Sequence, residues 1–183
     1  MISSASIDYF SAEGIPFVLI AVCNIWLFQP IVTFLHELGH GLMALLLTDG
    51  TVRIQVGEEG GSLRNKIIKF GKRFCIDISL KNTRAGYTQF EEQKKWVQLM
   101  ILLAGPMFTL CLTCQSGYLL LSRYLPGWAE LLLVSWFCAN LLAFFRSVIP
   151  VYLKPTATFP EGPPSDGLQI INLLLTGSSH KKP

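Results

Sequence analysis

Apolar residues fall into three long blocks, Ile15–Leu47, Trp96–Leu121 and Trp128–Ile149, followed by a short one at Leu168–Leu175. The three long blocks meet or exceed the roughly 20 residues a helix needs to cross a bilayer, and the fourth is too short. The pattern predicts three membrane-spanning helices and then a short apolar helix. Pro30 lies inside the first block, which makes that block one kinked helix or two helices. Two helices would need a turn near Phe28 to Ile31, where there is no glycine, charge or polar run to solvate the freed backbone. One kinked or tilted helix is the favoured reading.

Between the first two blocks the texture changes. Val52-Arg53-Ile54-Gln55-Val56 and Phe74-Cys75-Ile76-Asp77-Ile78-Ser79-Leu80 alternate apolar and polar residues as half-buried strands do, with Gly57 to Gly61 as a turn. Two to four short strands are expected, the last over Tyr87-Thr88-Gln89-Phe90. The alternative is a solvated basic loop. The predicted fold class is an all-α polytopic membrane protein with about three transmembrane helices and a small β-strand loop near the cytoplasmic face. It forms a single membrane-embedded domain over residues 1–183, with 51–90 as that loop and 150–183 as a loop, short helix and polar tail.

Composition strengthens the membrane reading. Half of the 183 residues are hydrophobic, only 15% are charged, and the mean hydropathy is +0.45, too apolar for an ordinary soluble domain. Charge adds an orientation. Ten of the fifteen basic residues lie between Arg53 and Lys95, whereas the segment before Ile15 has none and carries Asp8 and Glu13. By the positive-inside rule the loop after the first helix is cytoplasmic, the amino terminus outside and the carboxyl terminus cytoplasmic, most naturally in a plasma membrane. The short link Ser122 to Gly127 is then outside, and Arg146, Lys154, Lys181 and Lys182 lie at or beyond the cytoplasmic end of the third span. The net charge of +3 reports this topology and gives no sign of nucleic-acid binding. No positively charged region precedes the first block, so no cleavable signal peptide is expected. Four of the five cysteines fall in predicted spans and Cys75 in the loop, which argues against a disulfide framework. The Cys111 and Cys114 pair sits in a lipid-embedded helix and reads as packing.

The first block also carries His36-Glu37-Leu38-Gly39-His40. Two histidines four apart project from one helical face and can take two corners of a tetrahedral zinc site. Glu37 then lies beside the metal, free to take a proton from a water whose pKa the metal lowers to about 7. A carboxylate near the middle of a bilayer costs at least about 2.5 kcal/mol, and a metal supplies a reason for it. With Glu37 kept as the base, one protein ligand is missing. His180 lies in a polar tail beside Lys181, Lys182 and Pro183 and is set aside. Among carboxylates, Asp166 stands out in Pro163-Pro164-Ser165-Asp166-Gly167, directly before the short apolar block, although that position also suits a plain helix N-cap.

This arrangement resembles the site-2 protease family of intramembrane zinc metalloproteases. There, a histidine-glutamate-x-x-histidine motif in one membrane helix is completed by an aspartate, followed by glycine, in a later segment. His36, Glu37 and His40 match the first element, and Asp166 with Gly167 the second, so the resemblance covers most of the chain as a minimal catalytic core. Ala104-Gly105-Pro106 looks like the small-residue stretch of the middle core helix. Asn140 resembles the asparagine preceding the aspartate motif; it could bond a substrate backbone or simply join two helices. The chain departs from the pattern in Ser165, where an apolar residue is usual, and in the long proline-rich connection Val151 to Pro164.

The resemblance implies a zinc-dependent endopeptidase. Zn2+ would be held by His36, His40 and Asp166, with Glu37 as general base. The partners would be the lipid bilayer and a transmembrane protein substrate cut in or near its membrane segment to release a cytoplasmic fragment. Two other readings differ in class: a catalytically idle adaptor or chaperone of the same fold, and a metal transporter. An adaptor has no need of Glu37 as a base, and a transporter would call for more polar residues along the second and third spans.

Overall fold

The computed structural model describes residues 14–57, 66–79, 85–91, 93–122, 125–155 and 159–176. Asp8, Glu13, Leu80, His180, Lys181 and Lys182, together with parts of the Gly57 to Gly61 turn and the Ser122 to Gly127 link, lie outside the described residues. The elements run α1 (Ile15–Leu47), β1 (Val52–Val56), β2 (Lys66–Phe70), β3 (Phe74–Ile78), β4 (Gly86–Gln89), α2 (Lys95–Ser122), α3 (Gly127–Val148) and α4 (Asp166–Thr176). Among the described residues, α1, α2 and α3 are long and apolar enough to cross a membrane, and α4 is shorter.

The first block is one helix. It opens with Pro16 in its first turn, where proline's missing N–H costs nothing, and continues through Pro30. It ends at Thr48, whose backbone turns extended and whose hydroxyl donates to the Ala44 carbonyl at 2.8 Å. The side chain of Arg73 donates to the carbonyls of Thr48 and Gly50, so the exit from the helix is bonded to the sheet that follows it.

The three long helices pack on one another through small residues. Gly39 of α1 lies so close to α2 that an added Cβ would stand 2.8 Å from the Ala104 carbonyl oxygen and 2.9 Å from Phe108 Cβ. The buried positions of α2 include Gly105, Thr109, Thr113 and Ser116, and those of α3 are Ser135, Ala139, Asn140 and Ser147. Small residues let backbones approach where lipid gives no hydrophobic drive for association. The hydroxyls of Thr109, Thr113, Ser116 and Ser135 each donate to a carbonyl one turn back in their own helix, so burying them leaves no donor orphaned.

The strands form one sheet in the order β2-β3-β1-β4, and this corrects the all-α class. β1 and β3 pair in parallel, while β1–β4 and β2–β3 are antiparallel. Pattern reading placed β1, β3 and β4 but missed β2, because Lys66-Ile67-Ile68-Lys69-Phe70 does not alternate cleanly. Its two lysines suit an edge strand. Gly71, at φ +67, makes the turn into β3.

Alternation sets the two faces of the sheet. Ile54, Val56 and Ile76 pack with Phe34 and Leu38 of α1. Val52 packs with Ala44 and with Ile101 of α2. On the other face Arg53 donates to Asp77 and the Tyr87 hydroxyl donates to Gln55 at 2.6 Å. The sheet therefore lies along the C-terminal turns of α1, against the segment that carries the histidines.

Candidate metal centre

The motif occupies the part of α1 enclosed by the other elements: Glu37 and His40 are buried, and His36 is nearly so. His40 is fixed from both sides. Its Nδ1 donates to the Ile101 carbonyl at 2.7 Å, which leaves the Nε2 lone pair of a neutral imidazole pointing into the site. Gly105 faces the same ring, and a Cβ there would collide with the His40 imidazole. The Ala104-Gly105-Pro106 stretch thus gives the histidine its space.

Asp166 arrives from the opposite end of the chain. After α3, residues Tyr152 and Pro164 form an antiparallel bridge and Leu153 N–H donates to the Pro163 carbonyl, so the two ends of the proline-rich connection lie side by side as a narrow ribbon. Ser165 closes it. Its hydroxyl donates to the Ile149 carbonyl at 2.7 Å and accepts from the N–H groups of Val151 and Leu168. The bond from Leu168, three residues on, makes Ser165 the N-cap of α4. Asp166 is the first residue of the helix instead of its cap, and its carboxylate is free to reach α1. Gly167 allows this approach, since a Cβ there would run into the Val148 carbonyl.

Asp166 Oδ2 lies 2.9 Å from His36 Nε2, Asp166 Oδ1 lies 3.4 Å from His40 Nε2, and the two imidazole Nε2 atoms are 3.2 Å apart. Ligand atoms about 2.0–2.1 Å from a tetrahedral zinc are spaced by about 3.3 Å. The donor set fits the ion in kind as well: two imidazole nitrogens and a carboxylate oxygen, all within 4.8 Å of one another. Burial pushes the Asp166 carboxyl up; when protonated, the His40 and His36 rings outweigh this through their charge and hydrogen bonds and hold it below the usual carboxylate range.

Strand β4 borders Glu37. Thr88 Oγ1 lies 2.8 Å from Glu37 Oε2 and 3.1 Å from the Glu37 carbonyl oxygen. At Gly86 a Cβ would stand 2.8 Å from Glu37 Cγ and 2.8 Å from Thr33 Cγ2. Sequence reasoning gave no role at the site to Gly86 or Thr88 and read Ser165 only as a departure from the family pattern. Only Ser165 left a signal, as a serine three residues before the N–H it caps.

A model of the Peptidase M50B-like family matches residues 14–157. The chain belongs to that family. The match bears out the resemblance to the site-2 proteases and spans all three long helices and the sheet. It stops short of Asp166, whose place beside His36 is a matter of the fold's geometry alone. No curated protein matches the chain.

The fifth expected site residue, Asn140, is fully buried in α3. Its Nδ2 donates to the Trp136 carbonyl of the same helix at 2.9 Å, and its Oδ1 has no hydrogen-bond partner among the described residues.

Proposed function

We propose that this chain is an intramembrane zinc metalloprotease that hydrolyses a peptide bond in or near a transmembrane segment of a membrane protein. One observation carries the reading: a buried carboxylate, Glu37, stands beside a cluster in which two imidazoles and an aspartate from opposite ends of the chain turn their donor atoms on one point. His36, His40 and Asp166 are the residues that would hold Zn2+. When bound, the ion supplies Lewis acidity, polarising the scissile carbonyl and making water a nucleophile near neutral pH.

The remaining chemistry belongs to the chain. Glu37 takes the proton of the attacking water and delivers it to the leaving amine. Ile101 and Gly105 hold the His40 ring, and Ser165 holds the turn that presents Asp166. The cut segment must be unwound, because a helical backbone keeps its carbonyls in internal hydrogen bonds. An extended segment could align on the β4 side of the sheet, in the manner of an added strand. Asn140, with a buried unsatisfied Oδ1, is assigned to substrate binding or to helix joining.

The orientation belongs to the same reading. The basic loop and carboxyl terminus face the cytoplasm and the amino terminus lies outside, in a plasma membrane. From His40 to the end of α1 at Leu47 is about 10 Å of helix, which sets the centre a short way below the cytoplasmic surface.

The test is cleavage of a synthetic single-span helix with an Asn-Pro pair in its cytoplasmic half and a fluorophore and quencher flanking that pair, in detergent micelles. Wild type should cut it and Glu37→Gln should not. Equal rates would sink the mechanism, and an inert wild type loaded with zinc would favour the adaptor.

A further inference from the structure

We propose that Thr88 is a positioning residue for Glu37: its hydroxyl, from strand β4, holds the carboxylate in the orientation the proton transfer needs. The inference rests on the protease reading above. Two independent features of β4 meet on the same side chain. Thr88 Oγ1 sits 2.8 Å from Oε2, and the bare backbone of Gly86 lies against Cγ and Oε1, with no room for a Cβ. Gly86 and Thr88 are two apart and so face the same side of the strand, towards α1. β4 is in turn held by β1, where Thr88 stands opposite Ile54 and Gly86 opposite Val56, both packed on α1.

A glutamate has three rotatable side-chain bonds, and burial alone does not choose among its rotamers. One face blocked by strand backbone and one oxygen bonded to a hydroxyl leave little freedom. Thr is stiff about χ1 because it is β-branched, so its hydroxyl direction is itself constrained. The same hydroxyl is 3.1 Å from the Glu37 carbonyl oxygen, so it has an acceptor on α1 in either hydrogen orientation. A hydrogen bond to an ionised group is stronger than one between neutral groups, and its loss should slow the chemical step by about tenfold or more.

The experiment compares Thr88→Val and Thr88→Ser with wild type, using the same fluorogenic single-span probe and measuring kcat, KM, zinc per chain and the unfolding midpoint. The expected result is a fall in kcat of about tenfold or more for Val, with KM, zinc content and midpoint near wild type, and recovery of most of the rate in Ser. A Val variant that cleaves at the wild-type kcat would overturn the proposal, as would a loss of rate that only follows loss of zinc or of the fold. If Val does not fold, Ser and Ala carry the comparison: Ser fast and Ala slow supports the role, and equal rates overturn it. An inert wild type would instead bring down the protease reading and this role with it.

Discussion

The two halves of α1, before and after Pro30, are both largely apolar, but the second carries the polar motif on an enclosed face while its Ile31, Leu42, Leu46 and Leu47 stay exposed. Ile15, Leu19, Ile20, Val22, Trp26 and Leu27 of the first half are exposed. In the second half Val32, Glu37, Gly39, His40, Gly41 and Ala44 are buried, against α2 on one side and the sheet on the other. Side-chain size separates them. Bulky residues in the first half suit lipid, whereas glycine and alanine in the second let protein come close enough to seal a polar site. A span's hydropathy says that it can sit in a bilayer; its small residues say which part of it faces protein.

That comparison can be broken by substitution, and the largest effect falls on the centre itself. His40→Ala should lose both bound zinc and cleavage while the helices remain folded, as measured by metal content and circular dichroism. Next comes Gly105→Ala, whose Cβ would collide with the His40 ring, nearest at Nε2, and displace it while leaving every ligand in the sequence. Disturbing the support of a metal ligand typically costs about 10–100-fold in affinity, readable by competition with a chelator. Gly39→Ala should destabilise the fold by about 1–3 kcal/mol, since the new methyl meets backbone of α2 that cannot move aside. Unfolding in mixed micelles measures it. Gly41→Ala should cost less, because its Cβ meets side chains, those of Ile54 and Phe74, where the Cβ of Gly39→Ala meets backbone. Leu19→Ala, in the lipid-facing half, should fall within about 0.5 kcal/mol of wild type. A Leu19 effect as large as that of Gly39 would erase the distinction between the halves.

Much of this architecture was legible in the residues. The spans followed from block length, and their ends agree with the helices to within a residue or so. The pair of histidines followed from a local spacing that any α-helix turns into a shared face. Asp166 was harder, because its meeting with His36 spans 130 residues and depends on a ribbon that no local pattern announces. Ser165, read as a departure from the family pattern, turned out to be the cap that frees the aspartate. β2 and the reach of β4 to Glu37 were illegible for a related reason. Strand partners lie far apart in the chain, and a parallel β1–β3 pair leaves no hairpin signature. The all-α label was inexact there, although the alternation in β1 and β3 had announced the small sheet itself.

The central claim is that His36, His40 and Asp166 form one metal site. Its most direct test is the zinc content of detergent-purified protein, wild type beside Asp166→Ala, after dialysis against metal-free buffer. The account predicts close to one zinc per wild-type chain and a clear loss in the variant, with both proteins folded. No zinc in the wild type even after supplementation, or an Asp166→Ala protein that keeps its full complement, would contradict it.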